Sequence, residues 1–270
     1  MKNRAFTGTA ASGRPLVVGH RGNSGTSPEN TTVAFARARA SGADMIETDV
    51  RLTADGELFL FHDGTGARTT NIAQVYPDRA DDPITSFTAA ELRRLDAGGY
   101  FGEEFKGEPI VFLNELPDAV GSGLGVNLEL KAPADSPGVE QAVAAALAGP
   151  EWTQLREHHP VTVSSFDPAA VRTFAGISPQ VPAWQLVEEV PDAELLAEGA
   201  GYAQGIVASH VSLTPDSAAA VRAAGLGLWV YTVNSPADMD AVLALGVDAV
   251  ITDFPDTLIA RLASGPEASR

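Results

Sequence analysis

Residues 17–63 read VVGHRGNSGTSPENTTVAFARARASGADMIETDVRLTADGELFLFHD. The run Leu16-Val17-Val18 has the length and branching of a buried strand, and His20 and Arg21 follow where that strand ends. In Met45-Ile46-Glu47-Thr48-Asp49-Val50 two carboxylates bracket one threonine. Strand side chains alternate faces, so Glu47 and Asp49 point the same way and repel unless something positive lies between them. A second run, Leu58-Phe59-Leu60-Phe61, closes on His62 and Asp63. Between the runs, Thr53-Ala54-Asp55-Gly56 is a turn signature. A hairpin folding there, with paired residue numbers summing to 109, sets Glu47 beside His62, subject to a slip of one or two residues.

Outward from this stretch, apolar runs alternate with helical patterns. Pro28-Glu29-Asn30-Thr31 leads into an amphipathic segment, 33–40, that Asn30 is placed to cap and Gly42 to stop. Later strand candidates lie at 125–130, 161–165, 181–186, 205–208, 228–233 and 249–252. Helical stretches separate them at 138–147, 168–174, 192–198, 215–224, 236–245 and 255–262, and four of these open with proline, as a first helical turn permits. Repeated strand and helix units imply a parallel sheet covered by helices. About 250 residues is the usual size of a closed (β/α)8 TIM barrel.

Nine strand candidates compete for eight places. The runs at 45–50 and 57–62 are too close for a crossover helix, so either one is a hairpin arm at the mouth or the usual helix is missing there. A doubly wound open sheet is the alternative, but it lacks the glycine-rich turn into a helix. The expected organisation is a flexible lead-in over 1–14 and a single α/β barrel domain over 15–265. That barrel is distorted near its second and third strands and carries an inserted lobe at about 64–120, where the pattern lapses.

Asn127-Leu128-Glu129-Leu130-Lys131 is a second polar cluster. Alternation puts Asn127, Glu129 and Lys131 on one face, and inward charges are expensive unless paired or bound to an ion. Elsewhere the polar residues read more plainly. His158 and His159 precede Pro160 in a charged loop, His210 is a rim residue, Asp253 either supports the site from behind or forms a turn before Pro255 and is left out of the site, and Asn30 either only caps its helix or touches substrate.

The net charge of −17 argues against a nucleic-acid backbone or an anionic lipid surface as partner. There is no cysteine, hence no disulfide and no thiol nucleophile, which fits a reducing cytoplasm. The first fourteen residues lack the apolar core of a secretory signal, and no apolar run reaches membrane-spanning length.

His20-Arg21-Gly22, Pro28-Glu29-Asn30-Thr31, Glu47-x-Asp49, His62-Asp63 and Glu129-x-Lys131, in this order and spacing, resemble the glycerophosphodiester phosphodiesterase family. The resemblance continues through Arg68-Thr69-Thr70-Asn71, Ser164-Ser165-Phe166, Tyr231-Thr232-Val233-Asn234 and the stretch 246–256. It implies a divalent ion on Glu47, Asp49 and Glu129, His20 and His62 as the acid and base pair, and Arg21 and Lys131 on the phosphate. Tyr231 stands where the family usually has tryptophan, with Trp229 two residues earlier on the same face, and is counted among the substrate-binding residues. Val111-Phe112-Leu113-Asn114-Glu115 replaces the usual Pro-Thr-Leu-Glu-Glu. Three carboxylates and a dication leave about one negative charge, which with a phosphodiester can be offset by Arg21, Lys131 and one protonated histidine. All-oxygen ligation favours Mg²⁺ or Ca²⁺ over zinc. The implied substrate is a small glycerophosphodiester, with no protein partner. Lysophospholipid hydrolysis and a non-catalytic metal- or phosphate-binding barrel are the alternatives.

Overall fold

Nine strands form where the apolar runs predict them: β1 (Leu16–His20), β2 (Met45–Leu52), β3 (Leu58–Leu60), β4 (Gly125–Leu130), β5 (Val161–Ser165), β6 (Ala183–Val187), β7 (Gly205–Ser209), β8 (Gly227–Tyr231) and β9 (Ala249–Thr252). The structure, a computed structural model, describes residues 13–264. Most of the lead-in expected over 1–14 therefore lies outside the described residues. Eight strands pair in parallel and close on themselves, β1 joining both β2 and β9, while β3 pairs antiparallel with the outer half of β2. This is a (β/α)8 barrel, and β3 is the ninth candidate, a hairpin arm.

The hairpin register differs by one residue from the sum of 109. Val50 faces Leu60 and Leu52 faces Leu58. Thr53 and Glu57 close the turn through a backbone bond of 2.9 Å, leaving three loop residues, with Gly56 at φ +86°. An odd loop ending in a left-handed glycine shifts the pairing by one. His62 then falls past Thr48 rather than Glu47, and Asp49 is level with Phe61, whose N–H donates to the Asp49 carbonyl (2.9 Å).

Helices alternate with the later strands, and proline opens those at Pro168–Ile177, Pro215–Ala223, Pro236–Ala244 and Pro255–Ser264. Asp167, Thr214 and Ser235 cap the first three by accepting backbone N–H groups of the first turn. Helix Pro150–His158 falls where the sequence suggests only a charged loop. Helix Thr32–Ser41 stops at Gly42, at φ +87°, as expected. Its cap is Thr31, whose hydroxyl accepts from Ala34, because Asn30 is turned into the site instead.

Outward-facing Val126, Leu128 and Leu130 join the apolar layer under the helices. The barrel interior is filled separately: Trp184 and Trp229, both fully buried, stack at 4.3 Å between ring centroids. They fit because β7 and β8 begin with glycine. A Cβ on Gly205 would sit 2.2 Å from Trp184 and 2.4 Å from the Gly227 carbonyl oxygen. Between β3 and β4, where a barrel normally has one crossover helix, short helical turns pack around another apolar cluster that includes Phe59, Phe61, Ile84, Phe87 and Phe112. No helix among the described residues is long and apolar enough to cross a membrane.

Gly205→Ala is expected to overpack the interior, costing about 1–3 kcal/mol or more in denaturant unfolding. Gly176→Ala, in helix Pro168–Ile177 with open space around its Cβ position, should be neutral or stabilising by up to about 1 kcal/mol.

Candidate active site

Strand register assembles the site at the carboxyl ends of β1, β2 and β4. His20 is level with Glu47, Glu47 with Asn127, and Asp49 with Glu129. Side chains of one parity face inward, so the three acids meet: oxygens of Glu47, Asp49 and Glu129 lie within 4.8 Å of one another, and all three residues are buried. Both inward-facing predictions, for Glu47 with Asp49 and for Asn127 with Glu129 and Lys131, hold.

Two cations compensate. Lys131 Nζ lies 2.8 Å from Glu129 and 3.4 Å from Asp49. Arg21 places Nε 3.3 Å from Asp49 and its backbone N–H on Glu47 (3.1 Å). Burial alone would push Asp49 up, but Arg21 and Lys131 outweigh it and hold the carboxyl at about 2. Burial, reinforced by Asp49, pushes Glu129 up to about 7 and Glu47 well above the carboxylate range. The set is short of positive charge. Asp49 Oδ1, fully buried, accepts no hydrogen bond. Three converging buried carboxylates, one with an unused oxygen, are a donor set suited to a hard divalent cation.

The two histidines flank these acids. His20 Nδ1 is 2.6 Å from Asp253, which also accepts from Ser24 and Asn234, and Nε2 points inward, 4.0 Å from Glu47. His62 Nδ1 is 2.7 Å from Asp63. Its carbonyl accepts from buried Arg51 (2.7 Å), which pins the backbone where β3 has already ended. Burial lowers the His62 pKa despite the nearby carboxylates. Arg68 forks onto both Asp63 oxygens (2.6 and 2.9 Å) and both Glu29 oxygens (2.7 and 2.8 Å), and Glu29 accepts from Arg21 (2.8 Å). A single guanidinium thus joins the carboxylate behind His62 to the one behind Arg21. This also accounts for a second acid and histidine group, Glu29, His62 and Asp63, which already holds its cation in Arg68.

His20, Arg21, Glu47, His62, Glu129 and Lys131 line one open cleft of about 270 Å³, and Tyr231 closes its far end. The Tyr231 hydroxyl is committed to the Val187 carbonyl (3.1 Å). Asp49 lies beneath, 1% exposed. Every sequence-predicted site residue is in or directly under this cleft.

The sequence profile describing the glycerophosphoryl diester phosphodiesterase family matches residues 20–257. The chain belongs to that family. Relatives named glycerophosphodiester phosphodiesterase include one from Caldanaerobacter subterraneus subsp. tengcongensis, 34% identical over 93% of this chain and 99% of its own. Another, from Bacillus altitudinis, is 36% identical over 90% of this chain and 96% of its own. Among solved structures, an Oleispira antarctica phosphodiesterase in complex with the product sn-glycerol-3-phosphate superimposes with a TM-score of 0.80, at 29% identity, covering 94% of this chain and 99% of that one.

Membership of the glycerophosphoryl diester phosphodiesterase family gives the resemblance of the short motifs its full-length basis. Several residues of the site escape motif reading. Asp253, left out of the site, takes the supporting one of its two readings: one residue beyond β9, it is the partner of His20. Asn30, read equally as a cap or a substrate contact, does not cap; its amide donates to Asp49 (3.0 Å). Arg51 carries no local signal, and Arg68, though it opens one of the motifs, carries none of its partners Asp63 and Glu29, which come from segments folded against it.

In the metal-free protein Glu129 binds its proton more tightly folded (about 7) than at its ordinary value of 4.5. Stability from this group is therefore present at low pH and lost as pH rises from about 4.5 through 7. The slope approaches about 1.4 kcal/mol per pH unit at most. Urea unfolding between pH 5 and 8 should show that fall in the wild type and a flatter profile in Glu129→Gln.

Proposed function

We propose that this chain is a metal-dependent phosphodiesterase that hydrolyses small glycerophosphodiesters to an alcohol and sn-glycerol 3-phosphate. The observation carrying the proposal is the convergence of three buried carboxylates, two cations and two carboxylate-backed imidazoles on one open cleft. Glu47, Asp49 and Glu129 would hold one Mg²⁺ or Ca²⁺, which when bound polarises the phosphoryl oxygens. Arg21 and Lys131 take the non-bridging oxygens and offset the charge that develops on them. Tyr231 walls the substrate.

The histidines divide the proton work. Burial favours the neutral form of His62, so His62 accepts the proton of the attacking hydroxyl. That hydroxyl belongs to a water or to the substrate's own glycerol; in the latter case a water then opens the cyclic phosphate to give sn-glycerol 3-phosphate. The bond from phosphorus to the leaving oxygen breaks as the new one forms, and His20 Nε2 delivers a proton to the departing alkoxide. Asp253 and Asp63 hold each ring by Nδ1, leaving Nε2 free for transfer. Each transfer is worth about 10² to 10⁴ in rate. The cysteine-free composition supports action in a reducing cytoplasm.

A lysophospholipid is the second substrate reading, favoured by one feature. Tyr100 and Phe101 are 39% and 40% exposed on the segment between β3 and β4, and the Tyr100 hydroxyl accepts from Glu29 N–H (3.1 Å), next to Arg21. Acyl chains can rest there. A barrel without turnover is disfavoured, because every charged position the reaction requires is filled.

A panel of glycerophosphodiesters and lysophospholipids, assayed in EDTA and with Mg²⁺ or Ca²⁺ restored, tests the proposal. Turnover of the soluble diesters only with metal is expected; lysolipid turnover alone selects the second reading, and no turnover contradicts both. His20→Ala and His62→Ala should each lower kcat at least about 10²-fold with an unchanged circular dichroism spectrum, and near-normal activity in either removes that residue from the mechanism.

A further inference from the structure

The cleft has a second end that the phosphate chemistry does not use. From the phosphate side, Lys131 Nζ stands 5.9 Å from the centre of the Phe166 ring. Phe166, 39% exposed, meets Tyr231 edge to face at 5.8 Å. Tyr231 lines the cleft together with Glu129 of the acid cluster and a further carboxylate. That carboxylate, Glu188, lines the same cleft just past the end of β6.

Its position is built. The Tyr231 hydroxyl donates to the Val187 carbonyl (3.1 Å), and the Ser212 hydroxyl donates to the Glu188 carbonyl (2.6 Å). Among the described residues, no Lys, Arg or His forms an ion pair with Glu188, whereas Glu29, Glu47, Glu129 and Asp49 all have basic neighbours within 4 Å. An exposed acid needs no partner, but one at the end of an aromatic-lined cleft offers a place for a cation. Aromatic faces attract a cation by their quadrupole, and an adjacent carboxylate adds a full charge.

Lys131 is followed along the cleft by Phe166, Phe166 by Tyr231, and the Tyr231 hydroxyl holds the carbonyl of Val187, the residue before Glu188. We infer that this end of the cleft is a headgroup subsite, in which Glu188, Phe166 and Tyr231 select diesters whose alcohol carries an ammonium group over neutral ones. An ammonium two carbons beyond the ester oxygen lies about 5 Å from phosphorus by covalent geometry, a reach suited to the aromatic pair. Glu188 is the specificity-determining residue and takes no part in bond cleavage. The inference rests on the phosphodiesterase reading.

The test compares glycerophosphocholine with its uncharged isostere, in which a carbon replaces the nitrogen, so that shape is constant and charge alone varies. In the wild type, kcat/KM should favour the cationic substrate by about 5- to 30-fold. Glu188→Gln should lower that ratio by at least twofold, leaving the share held by the Phe166 and Tyr231 rings, and Glu188→Lys should lower it further. A wild-type ratio near one, or a ratio that Glu188→Gln moves by less than twofold, overturns the inference. Equal loss on both substrates does so as well, since it makes Glu188 a ligand of the shared glycerol or a structural residue. Turnover of the isostere by the wild type shows that the phosphodiesterase reading stands whatever the ratio; no turnover of either substrate overturns that reading and the inference with it.

Discussion

Asp49 is the residue the site is built around. It is 1% exposed and shares its space with the Glu47 and Glu129 carboxylates. Burying like charges together is among the most costly arrangements available to a fold. Arg21, Lys131 and the Asn30 amide offset part of that cost directly. Arg21 reaches Asp49, Glu29 and Glu47 at once because its backbone adopts φ +51°, a conformation that costs a non-glycine residue about 1 kcal/mol or more. The cluster remains short of positive charge, and the proposed dication would supply it.

The remaining architecture supplies rigidity around that centre. The stacked indoles and paired glycines fill the barrel below, so the acids rest on a floor that admits no collapse. Above, the fork of Arg68 ties the segment between β3 and β4 to the loop after β1 through Asp63 and Glu29. Arg68 is half exposed, and such pairs contribute little to global stability. Their value is geometric: one side chain sets the positions of the groups behind His62 and Arg21 together.

Much of this was legible in the sequence because parallel strands obey a simple parity. Alternation in Met45–Val50 and in Asn127–Lys131 is enough to point each acid inward, and proline at helix starts marks three of the crossovers and the final helix. What parity cannot give is a contact set by loop geometry. The turn at Gly56 has three residues, and that one-residue difference makes Thr48, not Glu47, level with His62 and sets Asp49 beside Phe61. Asn30 looks like a helix cap because caps and ligand-holding amides use the same residue types; only the fold shows that Thr31 caps. Asp253 is separated from His20 by most of the chain and is brought beside it only when β9 closes against β1.

The most direct measurement is the anomalous difference map of crystals of the EDTA-stripped protein soaked in Mn²⁺. The account predicts one strong peak bounded by Glu47, Asp49 and Glu129 and none at Glu29, His62 and Asp63. A peak at the latter group, or no peak among the three acids at saturating Mn²⁺, contradicts it.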